Sequence, residues 1–281
     1  MLLEINDIMT LATPQTADVV VERTKNRMKA YIISMINDHD STVAARRVLR
    51  SIFTTESKID PLIFPAVTPA DLDKVKRKLF GKSAIPNISY TYPKTEAENR
   101  YDIKSGLHLS AYANVDLNKR IACFLSHYTL WLECYKSQET IMILEHDAYF
   151  VKQFDWASVS RVFTGDVLGL NSPKDTTRKA ALYDERVKKQ IDAKYAKSPK
   201  KPDVSAVEVP WLDDHTKPHG LAGNSAYVIK PEGALKLIQL TAEHGMWPND
   251  AIMCKQLMPG KLQQVYPYIT KVQGLKSTTS E

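Results

Sequence analysis

The chain has 281 residues, of which 43% are hydrophobic and 25% are charged, as is ordinary for a globular protein. Its length allows one large α/β domain or two small ones, and no segment approaches the roughly 20 apolar residues of a membrane span. The three cysteines form neither a disulfide framework nor a zinc-ligand spacing. We therefore expect a protein of a reducing, cytoplasmic compartment.

The net charge of +6 is concentrated in one segment. Residues 186–201, RVKKQIDAKYAKSPKK, contain seven basic residues and one acid, Asp192. A second basic run covers residues 73–82. Such clusters suit a polyanionic partner such as nucleic acid, an acidic lipid or a saccharide. A lysine-rich surface that binds nothing specific explains the charge equally well.

The first predicted elements follow an N-terminal extension at residues 1–27, which contains a candidate helix near residues 16–27. The compact apolar run MKAYIISM (28–35) predicts the first core strand. After a polar loop, residues 41–53 have a helical pattern, with Ser41 as the candidate N-cap. We expect residues 83–118 to be loop-rich.

The strongest helical periodicity lies in residues 119–137, where apolar side chains recur on one face. The run IMIL (141–144) predicts a short buried strand, and DVLGL (166–170) predicts another. Residues 171–215 are predicted to form a long polar insert that contains the basic segment.

Residues 225–230 predict a strand that leads into a helix beginning at Pro231, a residue favoured in the first helical turn. A last short strand is predicted at 265–269. The alternation of strands and helices indicates an α/β fold with a Rossmann-like, mostly parallel sheet and helices on both faces. Ligands of such sheets bind beyond the C-terminal ends of the strands, where Glu145-His146-Asp147 is expected.

Two carboxylates flank a histidine in this strand-end sequence, Glu145-His146-Asp147. In an extended segment Glu145 and Asp147 would point the same way and His146 the opposite way. Two such acids can hold Mg²⁺ or Mn²⁺ together with phosphate oxygens. The cation could then neutralise a departing diphosphate. Without other motifs, a solvated strand end is the better interpretation.

Five short motifs, in order, resemble glycosyltransferase family 25, which includes lipooligosaccharide and collagen galactosyltransferases. The family's Cys-x-x-Ser-His-x-x-x-Trp helix is matched by Cys123, Ser126, His127 and Trp131. About a dozen residues later, ILEHDAYF resembles a family strand that ends in Glu-Asp-Asp. The other matches are YIISM with Arg46-Arg47, HGLAGNSAYVIKPEGALKLI (219–238) and WPNDAIM (247–253).

The resemblance implies a GT-A type domain over residues 28–281. Its first half, 28–150, would bind the nucleotide sugar, and its second half, 151–281, would bind the acceptor and carry the basic insert at 171–215. The implied activity is metal-dependent, inverting transfer from a UDP-sugar with Mn²⁺ or Mg²⁺. The chain is divergent, because His146 replaces the family's middle acid.

The resemblance also assigns roles to individual residues. Asp250 would be the general base that takes the acceptor proton, although an N-cap carboxylate is the alternative. For His127, core packing and a hydrogen bond to the strand-end loop both stay open, whereas Trp131 is expected in the core. The remaining candidates are metal ligands Asp147 and Glu145; donor-binding Ser34, Arg46, Arg47, Glu145 and His146; and acceptor-binding His219, Asn224, Lys188 and Lys189.

The sequence leaves two candidate acceptors and one interpretation without catalysis. The family favours a bacterial surface saccharide such as the lipooligosaccharide core. The basic insert favours DNA, since some bacteriophages glycosylate hydroxymethylated pyrimidines. There phosphate contacts would supply affinity and the base would leave the stack. We favour the DNA acceptor, with the enzyme in the host cytoplasm. An inactive member that binds nucleic acid or saccharide is a third interpretation, which His146 would favour.

Overall fold

The computed structural model describes residues 27–81, 88–113, 116–177, 179–198, 200–212 and 214–275. The helix predicted near residues 16–27 lies outside the described residues, apart from Arg27. The strands are β1 (Met28–Ser34), β2 (Ile59–Pro65), β3 (Arg100–Asp102), β4 (Leu107–Leu109), β5 (Ile141–Glu145), β6 (Ala148–Phe150), β7 (Val167–Gly169), β8 (Ser205–Glu208), β9 (Ala226–Ile229), β10 (Leu262–Tyr266) and β11 (Thr270–Val272). The α-helices are α1 (His39–Thr54), α2 (Leu72–Phe80), α3 (Leu117–Ser137), α4 (Trp156–Val159), α5 (Ala180–Lys194), α6 (Pro231–His244) and α7 (Asn249–Ile252).

The centre of the fold is a seven-stranded sheet in the order β2-β1-β5-β9-β7-β10-β8. β1 runs parallel to β2 and β5, and β7 runs parallel to β10. β9 is antiparallel to both of its neighbours, and β8 is antiparallel to β10. Five of the seven strands therefore share one direction, which confirms the predicted α/β fold with a mostly parallel sheet. Both predicted halves of the chain, 28–150 and 151–281, contribute strands to it.

Helices cover the sheet on both faces, and the side chains of β5 alternate between two apolar cores. Ile141 and Ile143 pack in the core that also contains residues of α3 and α6. Met142 and Leu144 pack in the opposite core with residues of α1. Since both faces are covered, the central strands have continuous apolar sequences instead of alternating ones.

Helix α3 spans the region of strongest periodicity. Its N-cap is Asp116, whose side chain accepts hydrogen bonds from the backbone N–H groups of Asn118 and Lys119. It ends at Gln138, which has a left-handed conformation with φ of 55°. The predicted core position of Trp131 is confirmed, because its side chain is completely buried.

Helix α1 begins two residues earlier than predicted, and Ser41 is not its N-cap. The cap is Asp38, whose carboxylate accepts the backbone N–H of Ser41 at 2.7 Å. The Ser41 hydroxyl is buried and accepts the backbone N–H of Met35 at 2.9 Å. A carboxylate just before the first turn also interacts favourably with the helix dipole, which a serine hydroxyl does not.

The predicted polar insert at 171–215 is largely regular structure. It contains α5 and β8, and β8 completes one edge of the central sheet. Helix α5 buries Tyr183, Val187 and Ile191, a four-residue repeat that is hidden in the sequence by charged residues at most intervening positions.

The opposite edge strand, β2, was also missed by sequence reasoning. It contains Pro61 and Pro65, which argue against a central strand. An edge strand tolerates them because one side of it has no ladder to complete. Among the described helices, none is long and apolar enough to cross a membrane.

Candidate active site

Glu145 ends β5, and the chain turns immediately afterwards at His146 and Asp147 before entering β6. The expected extended segment through Asp147 is therefore wrong. The physical reason is that β6 leaves the central sheet and pairs with β11 near the C-terminus. Both carboxylates lie at the C-terminal end of the parallel strands. His146 is half-buried, and burial lowers its pKa, although the charges of Glu145 and Asp38 act in the opposite direction.

Gln273 fixes the backbone of this turn. Its backbone N–H donates to the carbonyl oxygen of Asp147 at 2.9 Å. Its side-chain amide lies 3.1–3.2 Å from the carbonyl oxygens of Ala44, His146 and Ala148. Sequence reasoning missed Gln273, because only the pairing of β11 with β6 brings it to the acids.

A chain of hydrogen bonds leads from the core to Glu145. The Trp131 indole N–H donates to the Tyr227 hydroxyl at 2.9 Å, and that hydroxyl lies 2.9 Å from Nδ1 of His127. Nε2 of His127 lies 3.1 Å from a carboxylate oxygen of Glu145. Since the indole can only donate, the Tyr227 hydrogen is free for Nδ1. His127 then carries a hydrogen on Nε2 and donates it to Glu145.

The two acids of the turn have opposite pKa shifts. Burial acts to raise the pKa of Glu145, but the hydrogen bond from His127 and nearby positive charges hold it below its ordinary value. Burial raises the pKa of Asp147 to about 7, and the charge of Glu145 contributes in the same direction. Oδ1 of Asp147 is buried without a hydrogen-bond partner. The turn therefore contains a carboxylate whose ionised form lacks compensation.

This arrangement suits a divalent cation. A buried carboxylate without a donor is costly, and Mg²⁺ and Mn²⁺ prefer carboxylate oxygens. Cys123, His127 and Glu145 offer an alternative, with ligand atoms within 4.8 Å of one another. That set would suit a softer metal, which requires a thiolate. Burial raises the pKa of Cys123 far above its ordinary value, so Glu145 with Asp147 is the better match.

A third acid, Asp250, lies in the short helix α7, and its Oδ1 is also buried without a partner. The Tyr112 hydroxyl is close enough to Asp250 for the charge of this carboxylate to act on it. Burial and the Asp250 charge raise the pKa of Tyr112 well above its ordinary value. Besides burial, the charges of Glu145, Asp250 and Asp147 all raise the pKa of Cys123. The three carboxylates therefore lie around the same turn of α3.

Asn224 lies beside the end of β5, since the carbonyl of the next residue, Ser225, accepts the backbone N–H of Glu145 at 2.8 Å. The Asn224 side chain is buried, and its Oδ1 has no hydrogen-bond partner. His219 is buried edge-on against Trp211, and its Nδ1 lies 2.9 Å from the Lys217 carbonyl oxygen. The backbone next to Asn224 therefore lies beside Glu145, and the Asn224 side-chain amide lies 4.0 Å from Sδ of Met253, just after α7.

The donor candidates of the first half of the chain are placed differently. Ser34 is buried, and its hydroxyl lies 3.2 Å from that of Ser41. Arg46 and Arg47 are exposed on α1. Their proposed contacts with the donor stay predictions.

The acceptor candidates Lys188 and Lys189 are exposed on α5, which packs against β8 and β10. β8 lies four strands from β5 in the sheet, or roughly 19 Å at ~4.8 Å per strand. Lys188 forms an ion pair with Asp184 at 2.6 Å. The structure therefore does not bring these two lysines to the carboxylates.

A comparison with protein families agrees with the motifs. The profile of "Glycosyltransferase family 25 (LPS biosynthesis protein)" matches residues 27–253, about four-fifths of the chain. The chain belongs to glycosyltransferase family 25. It is therefore a glycosyltransferase, and the predicted resemblance is confirmed. The match covers the three acids, whereas Gln273 lies beyond it.

Several solved glycosyltransferase structures are similar to this family 25 member. They include apo WbbM, a bifunctional glycosyltransferase (9% identity, TM-score 0.39, 85% of this chain and 39% of that one), and the galactosyltransferase LgtC with donor and acceptor sugar analogues (10%, 0.37, 84% and 73%). A third is apo mouse xyloside xylosyltransferase 1 (12%, 0.38, 84% and 84%). No curated protein sequence matches the chain.

The family 25 helix motif now has a physical explanation, since its residues connect α3 to α7, to the loop after β2 and to strands β5 and β9. Cys123 lies 3.9 Å from the Asn249 side chain of α7. Ser126 accepts the backbone N–H of Val67, in the loop after β2, at 2.9 Å. His127 and Trp131 reach β5 and β9 through the hydrogen bonds described above. The two interpretations of His127 therefore hold together, because it is buried in the core and bonded to the strand end.

We expect the His127→Ala variant to lose about 1–3 kcal/mol of unfolding free energy at pH 8, because the half-buried Glu145 carboxylate loses its donor. The lowered pKa of Glu145 makes this contribution present above its ordinary pKa of 4.5 and lost as the pH falls below it. The variant and the native chain should therefore differ less in unfolding free energy at pH 4 than at pH 8. Urea unfolding at both pH values measures this difference, with Ser137→Ala on the same helix as the control. A loss independent of pH would reflect packing alone.

Proposed function

We propose that this family 25 enzyme transfers a sugar from a UDP-sugar to an acceptor hydroxyl with inversion, assisted by Mn²⁺ or Mg²⁺. The observation that supports this proposal is the pair of carboxylates at the end of β5, of which Asp147 has a buried oxygen without a hydrogen-bond partner. A third carboxylate, Asp250, lies around the same turn of α3. Glu145 and Asp147 would thus act on the donor, and Asp250 would act on the acceptor.

On the donor side, Glu145 and Asp147 would hold the cation, which would neutralise the charge developing on the departing diphosphate. His127 keeps Glu145 ionised before binding, through the hydrogen bond to Nε2. Asp147 gives up its proton on binding, since an adjacent positive charge favours its ionised form. Gln273 holds the backbone of the turn during this change.

On the acceptor side, Asp250 would act as the general base. Its Oδ1 has no partner in the protein, so this atom is free to accept the proton of the acceptor hydroxyl. A hydrogen bond from the nearby Tyr112 hydroxyl would hold the carboxylate in place. A single displacement with Asp250 opposite the leaving diphosphate inverts the configuration at the transferred sugar carbon.

We propose a saccharide as the acceptor, in agreement with the description of the family as LPS biosynthesis proteins. DNA is the second candidate, and the exposed basic residues of 186–201 support it. Four of the seven are engaged within the protein: Arg186 with the Trp211 carbonyl, Lys188 with Asp184, Lys194 with the Ala206 carbonyl and Lys201 with Asp192. The segment therefore offers a polyanion less free charge than its sequence suggests.

The first test is calorimetric titration of the protein with UDP, with and without MnCl₂, followed by a search for slow hydrolysis of UDP-sugars. We expect binding that depends on the metal and hydrolysis of at least one UDP-sugar. Absence of both would contradict the proposed transfer and favour an inactive family member. Mass spectrometry of candidate acceptors after incubation with UDP-sugars would then identify the product.

The two acceptors are distinguished by a gel shift with duplex DNA across a salt series. A DNA acceptor requires binding that weakens steeply with salt, because phosphate contacts release counterions. If binding is absent or insensitive to salt, the saccharide acceptor stands alone.

A further inference from the structure

A cleft with aromatic and basic walls opens next to Asp250. Its lining residues are Tyr90, Pro93, Lys94, Tyr112, Leu117 and Arg120. The space enclosed by the cleft is about 20 Å³, roughly that of one water molecule, and its mouth is open to solvent. The cleft is therefore too small to enclose a sugar ring, but it can admit one charged group of a larger molecule that lies across its mouth.

Arg120 is the side chain in this cleft that indicates a ligand. It lies in the first turn of α3, and its guanidinium carbon is 4.4 Å from the centre of the Tyr112 ring. Its Nε is buried without a hydrogen-bond partner, and no carboxylate of the described residues forms an ion pair with it. A guanidinium presents a planar fork of donors that fits a carboxylate or a phosphate. Among the described residues, no carboxylate binds this guanidinium.

The surroundings of Arg120 suit a sugar that carries such a group. The Tyr112 ring is 37% exposed, although its hydroxyl is directed to Asp250. Tyr92 supports that ring from behind, with the ring centres 6.0 Å apart. Aromatic rings offer rigid apolar surface on which a sugar ring can pack. Lys94 is exposed at the rim and adds a second positive charge.

We propose that this cleft binds a carboxylate or phosphate group of the acceptor saccharide, held by Arg120 and Lys94 while Asp250 faces the reacting hydroxyl. The acceptor is thus an acidic saccharide instead of a neutral one. This inference rests on the proposed function. The same anion chemistry is present in the donor diphosphate, and the charge of Arg120 also reaches Glu145, so the experiment must separate the two sources.

Saturation-transfer NMR on the full chain can compare galacturonate with galactose and glucose 6-phosphate with glucose. We expect the acidic member of each pair to bind about tenfold more tightly, because a charge-assisted hydrogen bond is made only by the anion. Arg120→Met should remove this preference, Arg120→Lys should retain part of it, and Arg50→Met, on the exposed face of α1, should not change it. Calorimetry with UDP and MnCl₂ should give the same affinity for all four proteins.

Equal binding of acidic and neutral sugars by the native chain, or no binding of either acidic probe, would overturn the inference. Weaker UDP binding by Arg120→Met would also overturn it, because the anion would then be the donor diphosphate. These results differ from failure of the proposed function, in which the native chain itself shows no metal-dependent UDP binding. Circular dichroism of each variant confirms folding, and Arg120→Lys keeps the test valid if Arg120→Met does not fold.

Discussion

The Asp147→Asn variant should be more stable than the native chain at pH 8 without metal, and at the same time inactive. The pKa of Asp147 is raised to about 7 in the folded protein, from an ordinary value of 3.8. A folded state that binds its proton more tightly than the unfolded state loses stability as the pH rises through this range. Asparagine removes the uncompensated charge, so the gain is up to about 4 kcal/mol above pH 7 and vanishes below pH 4.

Thermal unfolding in EDTA at pH 4, 6 and 8 checks this expectation. Asp166→Asn is a matched control, because Asp166 lies 3.4 Å from the Lys261 ammonium and should lose stability on neutralisation. With Mn²⁺ present, the native chain should be stabilised and the Asp147→Asn variant should not. We expect transfer by the variant to fall on the order of 100-fold or more. If the variant is no more stable than the native chain in EDTA at pH 8, Asp147 is not an unpaired buried carboxylate.

The Asp250→Asn variant should bind UDP and metal normally but transfer sugar about 10²–10⁴-fold more slowly, the usual effect of removing a general base. Asparagine has the same shape and can still accept a hydrogen bond from the nearby Tyr112 hydroxyl. It cannot take a proton from the acceptor. The loss should therefore appear in kcat, with little change in the donor affinity.

Single-turnover kinetics with a saturating UDP-sugar measure this effect. Asp214→Asn is the control, since Asp214 is an exposed loop acid bonded to Thr216. The slow hydrolysis of the UDP-sugar by water should fall less than transfer, because water needs less help to lose a proton once the cation has activated the leaving group. An unchanged transfer rate would leave Asp250 with only a structural role in α7.

Local patterns were sufficient for much of the fold. The apolar run of β5, the periodicity of α3 and Pro231 at the start of α6 each predicted their element, because burial and helix geometry act on neighbouring residues. The helix in the basic segment was harder to predict. In α5 three apolar residues at four-residue intervals were enough to anchor a helix, although charged residues dominate the sequence around them.

The order of the motifs was also sufficient to identify the family, because the motifs are short segments: Cys123 to Trp131, Glu145 to Asp147, and the segment with Asp250. The sequence does not show the pKa values or the hydrogen bonds of these residues. Glu145 and Asp147 are two residues apart in the chain, yet one has a lowered and the other a raised pKa. The difference arises because His127, from another element, donates to only one of them.

The amino-acid sequence by itself determined the alternation of strands and helices, the helix and strand-end motifs and the membership of family 25. The tertiary structure alone decided which atoms lack partners and what lies around them. Gln273 reaches the acid turn from the position after β11, more than a hundred residues away. Tyr112, in a loop, packs against Arg120 in the first turn of α3 and lies near Asp250. The reason is physical: burial and charge compensation depend on every element that packs around a site, whereas periodicity and capping depend only on the residues next in the chain.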